Sequence, residues 1–284
     1  MQKISLLIIA AILFAGCANS PDAQEPTQEQ LYSNAKTIQF NYTVDGESGA
    51  LYFTAYKGLS DYLSTQPRVF YCTPACPSNA SMQLAFIDKK EQELQLERFA
   101  QAIDNITSSQ DTRRKIAISL IQNIPYDDAQ YQMMNATIDR YPYQVIYDDK
   151  GVCGEKTRLL AYILRHQGYG VALLRYPVEQ HAALGIKCSK QYSTQNTGYC
   201  FIETTTPSIP TFDQGNYPAF GKLRSKPEIL ILCNGTEYYP VQDYLDAQEW
   251  AHLETLIAKS GGSLDQKDYD KWIILKDKYG MQIE

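Results

Sequence analysis

The sequence predicts an α+β fold in which helices pack against an antiparallel sheet, and three parts of the chain indicate it. Residues 37–44 and 50–55 alternate apolar and polar side chains on either side of a glycine-containing turn, which is typical of a β-hairpin. Residues 154–167 carry apolar side chains at helical spacing, and Gly168 follows where a helix commonly ends. Apolar segments typical of strands come next, at residues 171–176, 181–188 and 199–204.

Two further helices are predicted between the hairpin and residue 154. Residues 91–106 place apolar side chains at helical spacing. Ser109 can cap a second helix that runs as far as Ile121, with Asp111 in its first turn, where a negative charge is favoured. Residues 124–149 then form a long, tyrosine-rich connection, and a connection of this length is often functional.

The main domain, residues 31–241, is predicted to end in a second β-hairpin. Its two strands, residues 228–233 and 236–241, flank Asn234-Gly235, and Asn-Gly is the strongest short signal for a hairpin turn.

Residues 242–284 are predicted to form a helical hairpin appended to this domain. Two stretches with helical patterns are joined by a Ser-Gly-Gly turn at residues 260–262. Each helix carries one tryptophan, Trp250 or Trp272, and we expect these side chains to seal the appendage onto the core.

The N-terminus is predicted to be a targeting segment rather than part of the fold. Lys3 precedes an apolar run at residues 4–14 that is too short to span a bilayer, and small residues lead up to Cys17. This pattern favours a lipoprotein signal of residues 1–16 with lipidation of Cys17 over an ordinary cleaved signal peptide. Residues 17–30 are polar and lack apolar periodicity, which indicates a disordered tether. We therefore expect an extracytoplasmic lipoprotein anchored to a membrane of the cell envelope.

Charge narrows the classes of partner. The formal net charge is −6 and the charged residues are dispersed without a basic run, so neither nucleic acid nor an anionic membrane surface is expected as a partner. Asp148-Asp149 lack the further spaced acidic ligands that a calcium loop requires. No metal and no cofactor are expected.

Five of the seven cysteines are left to assign once the lipidation site and a candidate nucleophile are set aside. An exported protein permits disulfides. Cys188 and Cys200 flank a polar loop between two predicted strands and favour a bridge, whereas Cys72 and Cys76 would close a small loop. A zinc site at the latter pair is disfavoured because no second Cys or His pair completes four ligands. Cys233 would remain a free, buried thiol, and fifteen arrangements of two pairs stay possible.

Cys153, His181 and Glu203 follow one another in an order that suits a thiol acyl-transfer site. Cys153 precedes the first turn of a predicted helix, where free backbone amides and the helix dipole favour a thiolate and an oxyanion. His181 begins a strand and is the natural general base and acid. Glu203, in the next strand, can orient the imidazole through its other nitrogen. Tyr143 and Tyr147, just upstream, are candidates for a second oxyanion donor.

Each of these residues also has a purely structural interpretation. A cysteine before a helix is often simply buried, and a histidine at the start of a strand is often a satisfied core residue. A glutamate can pair with any lysine or arginine at the surface. Order and spacing alone leave these interpretations open.

The residues around the three positions resemble the transglutaminase-like superfamily, in its prokaryotic branch with compact Cys–His spacing. A Gly-x-Cys opens the nucleophile helix, which ends in glycine and tyrosine, and a histidine strand and an acid strand follow. The resemblance covers about residues 109–212 and rests on residues 124–126, 140–142, 151–169, 181–186 and 199–205. Glu203 departs from the pattern, since the acid strand normally carries Asp-x-Thr.

The resemblance implies a papain-like core, in which the helix that bears Cys153 packs against an antiparallel sheet holding His181 and Glu203. It implies a thiol enzyme that hydrolyses or transfers amide bonds through an acyl-thioester on Cys153, with a peptide, protein or other amide as substrate. Peptidase or amidase activity is favoured over cross-linking because water is the default acceptor. The superfamily also contains inactive members, so the rival hypothesis is an envelope protein that binds peptides or a partner protein.

Overall fold

The structure is a computed structural model that describes residues 25–68, 78–133, 139–217 and 221–282. Its helices are α1 (Gln28–Leu31), α2 (Lys57–Thr65), α3 (Asn79–Ile87), α4 (Lys90–Asp104), α5 (Gln110–Asn123), α6 (Asp128–Gln132), α7 (Pro142–Asp148), α8 (Cys153–His166), α9 (Val241–Ser260) and α10 (Gln266–Lys278). Its strands are β1 (Ala35–Val44), β2 (Glu47–Tyr56), β3 (Val171–Tyr176), β4 (His181–Lys187), β5 (Tyr199–Ile202), β6 (Asn216–Tyr217), β7 (Gly221–Lys222) and β8 (Glu228–Cys233). Helices and antiparallel sheets together agree with the predicted α+β class.

An antiparallel sheet of four strands forms the centre of the fold, in the order β5-β4-β3-β8. Leu173 in β3 pairs with Leu184 in β4, which pairs in turn with Ile202 in β5. These three side chains are buried in the cluster that contains the apolar side of α8. Because side chains of residues paired directly across neighbouring strands lie on the same face of a sheet, this pairing gives α8 a continuous apolar surface to pack on.

The sequence determines α8 both along its length and at its C-terminal end. Leu159, Leu160, Ile163 and Leu164 recur at spacings of three and four residues and are fully buried, each contributing about 2 kcal/mol of transfer free energy. The helix ends before Gly168, whose φ of +86° is a left-handed conformation that costs glycine little. The predicted helix is confirmed to within one residue at each end.

The predicted N-terminal hairpin is also present, as β1 and β2. Asp45 and Gly46 both have positive φ, which suits the two-residue turn between the strands. The buried side chains Phe40 and Phe53 meet Phe99 of α4 edge to face, with ring centroids 5.2 and 5.1 Å apart. The hairpin therefore packs against α4 and α5.

The second predicted hairpin is wrong. β8 pairs with β3 instead, and the chain after Gly235 returns alongside other segments, with Thr236 N donating to Gly168 O at 2.8 Å and Tyr238 N donating to Lys187 O at 2.8 Å. A Cβ at position 235 would lie 2.4 Å from Gly168 O. Glycine is required there for close backbone contact rather than for a hairpin turn.

The long connection predicted over residues 124–149 contains two helices, α6 and α7, that the sequence analysis did not predict. Asp127 caps α6 through its side chain, and Pro142 occupies the first turn of α7. Close to the N-terminus, Thr27 and Gln30 form a capping box that begins α1, so the last residues of the predicted tether are helical.

Helices α9 and α10 pack on each other and on the chain that follows β5. Trp250 and Trp272 stack in parallel with ring centroids 6.0 Å apart, and Trp250 is buried with Ile209 and Phe212 of that segment. Gly46 N also donates to Lys278 O at 3.2 Å, which ties the first hairpin to α10.

Cysteine pairing agrees with the sequence where the structure describes it. Cys188 and Cys200 form a disulfide with a Cα–Cα distance of 5.8 Å, and Cys233 is a half-buried free thiol. Cys17, Cys72 and Cys76 lie outside the described residues. Within the described ranges, no helix combines the length and the apolar character needed to cross a membrane.

Candidate active site

The ends of three elements bring Cys153, His181 and Glu203 together. Cys153 is the first residue of α8, His181 is the first residue of β4, and Glu203 directly follows β5. Because β4 and β5 are neighbouring strands and α8 packs on β4, residues that are far apart in sequence share one small volume. All three are buried, with exposed fractions of 7%, 5% and 1% in that order.

His181 lies between the other two side chains. Its Nε2 is 3.0 Å from Oε2 of Glu203, and the side chain of Cys153 is close enough to the imidazole to help raise its pKa. An imidazole held by a carboxylate on one side and a thiol on the other is the arrangement that a thiol nucleophile requires.

Glu203 is held in place by more than the histidine. Its Oε1 accepts hydrogen bonds from Thr204 N at 2.9 Å, Thr205 N at 2.8 Å and Thr205 Oγ1 at 2.7 Å. Gln122 Nε2 donates to the backbone carbonyl of Glu203 at 3.0 Å. With one oxygen fully occupied, the other oxygen is fixed toward the imidazole.

The pKa shifts of this pair follow from burial and mutual attraction. Burial by itself lowers the pKa of His181, but the charge of Glu203 and the hydrogen bonds to Cys153 and Glu203 outweigh burial and raise that pKa to about 9. Burial by itself raises the pKa of Glu203, but the charge of His181 and the bonds from His181 and Thr205 hold it below its ordinary value. At neutral pH the pair is an imidazolium and a carboxylate.

The thiol of Cys153 sits at the N-terminus of a helix of 14 residues. The first backbone amides of a helix lack partners within it and carry partial positive charge, which favours a thiolate and an oxyanion nearby. Gly154 keeps the surface above this turn open, because a Cβ there would meet nothing closer than Arg158 Nη2 at 4.0 Å.

Glu155, which sequence reasoning passed over, fixes the loop before Cys153. Its carboxylate is fully buried and accepts from Val152 N at 3.1 Å, Arg140 N at 2.6 Å and Gln130 Nε2 at 2.7 Å. The Arg140 guanidinium lies 3.2 Å from it and also reaches Asp127. One buried charge cluster therefore holds the loop, α6 and the start of α8 together.

Tyr126 is a second residue near the thiol that spacing did not identify. Its backbone pairs with Gly151, just ahead of Cys153. Burial raises the pKa of the Tyr126 hydroxyl, and the negative charges of Cys153 and Tyr131 raise it further, so the hydroxyl stays protonated and available as a donor. The tyrosine-rich stretch pointed to this segment but not to this residue.

The upstream tyrosines proposed as oxyanion donors have other partners. Tyr143 is fully buried, and its hydroxyl accepts from Tyr56 N at 2.6 Å and donates to Tyr56 O at 3.2 Å. The ring of Tyr147 lies 4.1 Å from Lys36 Nζ. Tyr143 therefore supports the N-terminal hairpin, because its hydroxyl is committed to the backbone of β2.

No group of three or more His, Cys, Asp or Glu side chains within residues 25–68, 78–133, 139–217 and 221–282 is arranged to hold a metal ion.

Comparisons with known proteins add little to this geometry. No protein-family model matches the chain, and no curated protein matches it. A crystal structure from Parabacteroides distasonis ATCC 8503, described as a "putative protease", is similar with a TM-score of 0.33 and 15% sequence identity. The likeness covers 72% of this chain and 40% of that chain, so this chain spans less than half the length of its neighbour. A likeness this loose transfers no activity.

Proposed function

We propose that this protein is a thiol enzyme with a transglutaminase-like fold, which hydrolyses or transfers amide bonds through an acyl-thioester on Cys153. The observation that carries the proposal is the position of the His181 imidazole, which is hydrogen-bonded to the buried Glu203 carboxylate at 3.0 Å and close enough to Cys153 for the two side chains to interact. The packing of the Cys153 helix on an antiparallel sheet, with the histidine and the acid on neighbouring strands, supports the fold assignment.

The reaction begins from the ion pair of a Cys153 thiolate and the His181 imidazolium, since His181 is already protonated at neutral pH. The thiolate attacks the carbonyl carbon of an amide, and the amides at the start of α8 stabilise the oxyanion. His181 then protonates the departing amine, and the C–N bond breaks to leave an acyl-thioester. Water, or an amine in the transfer reaction, attacks the thioester carbonyl and gives its proton to His181. The C–S bond breaks, and Cys153 leaves as a thiolate beside the imidazolium.

Glu203 keeps the imidazole in one orientation throughout and stabilises its charged form. A glutamate has a side chain one methylene longer than aspartate. In this chain the extra length is accommodated because Thr204 and Thr205 fold back onto the carboxylate and hold it. The residue can therefore perform the role of the aspartate usual in the superfamily.

We further propose that Cys17 carries a lipid and anchors the enzyme in the cell envelope. The apolar run and small residues ahead of Cys17 support this assignment. Metabolic labelling with a radioactive fatty acid tests it. The label is expected on the full chain and is expected to be lost in Cys17→Ala; equal labelling of both chains would contradict the anchor.

The reactivity of Cys153 tests the enzyme proposal. Iodoacetamide alkylation is followed by mass spectrometry of tryptic peptides, since cleavage after Lys150 and Lys156 places Cys153 on a short peptide of its own. At neutral pH we expect Cys153 to react about tenfold faster than a free cysteine, because the helix N-terminus and the imidazolium favour the thiolate. His181→Ala is expected to remove this advantage, whereas the half-buried thiol of Cys233 provides an internal reference unaffected by the change. A Cys153 that reacts no faster than free cysteine would reject the proposal.

The alternative, a non-catalytic envelope protein that binds peptides or a partner protein, is favoured by one observation. Cys153 is only 7% exposed, so a substrate must displace neighbouring side chains to reach it. Under this alternative, peptide binding persists in Cys153→Ser and no thiol-dependent turnover of any amide or ester is detected.

A further inference from the structure

Lys156 is a buried lysine next to the candidate active site. It lies three residues after Cys153 in α8, and residues at this spacing share one side of a helix. Its side chain is completely buried. A fully buried lysine is rare in proteins, because removing an ammonium group from water is costly unless partners replace the water.

The partners of Lys156 are backbone carbonyl groups. Its Nζ donates to Gln122 O at 3.3 Å, to Ile124 O, and to Thr205 O at 3.2 Å. An ammonium has three donors and no acceptor, so three carbonyl oxygens satisfy it only in its charged form. A neutral amine would turn its lone pair toward one of these oxygens.

These three carbonyls belong to two segments that the site depends on. Gln122 and Ile124 lie at the end of α5, and Gln122 also bonds the backbone of Glu203. Thr205 holds the Glu203 carboxylate through its amide and its hydroxyl. Lys156 therefore connects the nucleophile helix to the two segments that hold Glu203 in place.

The charges around Lys156 also match the chemistry. Burial lowers the pKa of Lys156 to about 7, against the attraction of Glu203, Cys153 and Asp149. In the reactive state Cys153 and Glu203 are negative and His181 is positive, so a buried site carries one uncompensated negative charge. The ammonium of Lys156 cancels it.

We propose that Lys156 is a positioning residue of this thiol site. Its buried positive charge holds the segments that bind Glu203 against the nucleophile helix and stabilises the ionised form of Cys153. The inference rests on the proposed function. It adds to the triad a fourth group, which acts through Cys153 and Glu203 without contacting the substrate.

Variants of Lys156 test the inference through the pH dependence of Cys153 alkylation in the full chain. Lys156→Met keeps the length of the side chain and removes its charge, and Lys259→Met, at an exposed position in α9, is the matched control. We expect alkylation in Lys156→Met to be about tenfold slower at neutral pH, with the midpoint of its pH profile raised by about one. Lys259→Met is expected to behave as the wild type. Equal rates and midpoints in Lys156→Met and Lys259→Met would overturn the inference.

A second measurement does not depend on the folding of Lys156→Met. Because electrostatic coupling is reciprocal, a thiolate that is stabilised by the ammonium must stabilise the ammonium in return. The Nζ signal of Lys156 is followed by NMR in nitrogen-15-labelled wild type and in Cys153→Ser, which cannot ionise in this range. The pKa of Lys156 is expected to fall from about 7 by about one in Cys153→Ser. An unchanged titration would overturn the inference.

Failure of this inference and failure of the proposed function give different results. Suppose that Cys153 is alkylated rapidly in the wild type and in Lys156→Met but slowly in His181→Ala. Lys156 then has no part in the site, and the enzyme proposal stands. If wild-type Cys153 reacts no faster than free cysteine, the enzyme proposal itself falls.

Discussion

Replacing Glu203 with glutamine removes one negative charge while keeping the shape of the side chain. In Glu203→Gln the amide oxygen can still accept from Thr204 and Thr205, as Oε1 of the glutamate does. The amide nitrogen takes the place of Oε2, which lies 3.0 Å from His181 Nε2, and as a donor it cannot accept the hydrogen bond of an imidazolium. The variant therefore isolates the electrostatic role of the acid.

The expected effect on His181 is large. The carboxylate is the chief group that raises the pKa of His181 from 6.5 to about 9 against the effect of burial. A difference of that size corresponds to about 3 kcal/mol of preferential stabilisation of the imidazolium. Without the charge, burial dominates, and we expect the pKa of His181 to fall below 6.5. At pH values between about 6.5 and 9, the wild type then has a charged imidazole and the variant a neutral one.

Titration of the histidine ring signals by NMR measures this directly. The chain has only three histidines, and the spectrum of His181→Gln identifies the signal of His181. Glu228→Gln, at an exposed position of β8, is the control and is expected to leave the titration unchanged. The reasoning is refuted if His181 titrates at the same pH in the wild type and in Glu203→Gln, or if the wild-type value lies at or below 6.5.

Three further predictions concern stability and the loop before the thiol. The double variant Cys188→Ser/Cys200→Ser, which opens a bridge between residues 12 apart in sequence, is expected to lose about 3 kcal/mol in denaturant unfolding; an unchanged midpoint would show that the bridge adds nothing. Glu155→Gln removes one of the three carboxylates around the Arg140 guanidinium and weakens charged hydrogen bonds at a fully buried position, so it is expected to cost about 2 kcal/mol of stability and to slow Cys153 alkylation; wild-type values of both would show that the carboxylate does not hold the loop. Trp250→Ala is expected to cost about 3 kcal/mol in thermal or denaturant unfolding while leaving the alkylation rate unchanged; a slowed rate would tie α9 to the active site.

Local patterns in the sequence predicted the elements whose structure depends on near neighbours. The apolar residues of α8 recur at helical spacing and its end is marked by glycine, so the helix could be placed to within one residue. The first hairpin and the Cys188–Cys200 bridge also depend on short stretches of chain. The candidate site could be predicted for the same reason, because the thiol, the imidazole and the acid lie at the ends of α8, β4 and β5.

Contacts between distant parts of the chain account for what the sequence did not reveal. Asn234-Gly235 has the composition of a hairpin turn, but the glycine serves a close approach to Gly168, more than sixty residues earlier. A propensity for a turn is a local preference, and packing against a distant segment outweighs it.

The buried charges around the nucleophile helix were hidden for the same reason. Glu155 and Lys156 are charged residues of a kind that is usually exposed, and both are fully buried. Lys156 finds its acceptors on α5 and beyond β5, and Glu155 finds Arg140 across the intervening loop. These partners become visible only once the fold has brought the segments together.

Direct detection of an acyl group on Cys153 tests the central claim most closely. The folded chain is mixed with p-nitrophenyl acetate, quenched in acid and digested, and the peptide of residues 151–156 is weighed by mass spectrometry. We expect an acid-stable acetyl-thioester on Cys153 with a burst of p-nitrophenol in the wild type, a much weaker burst in His181→Ala, and neither product in Cys153→Ser. A wild-type chain that releases p-nitrophenol no faster than Cys153→Ser, with no acyl group on the peptide, would contradict it.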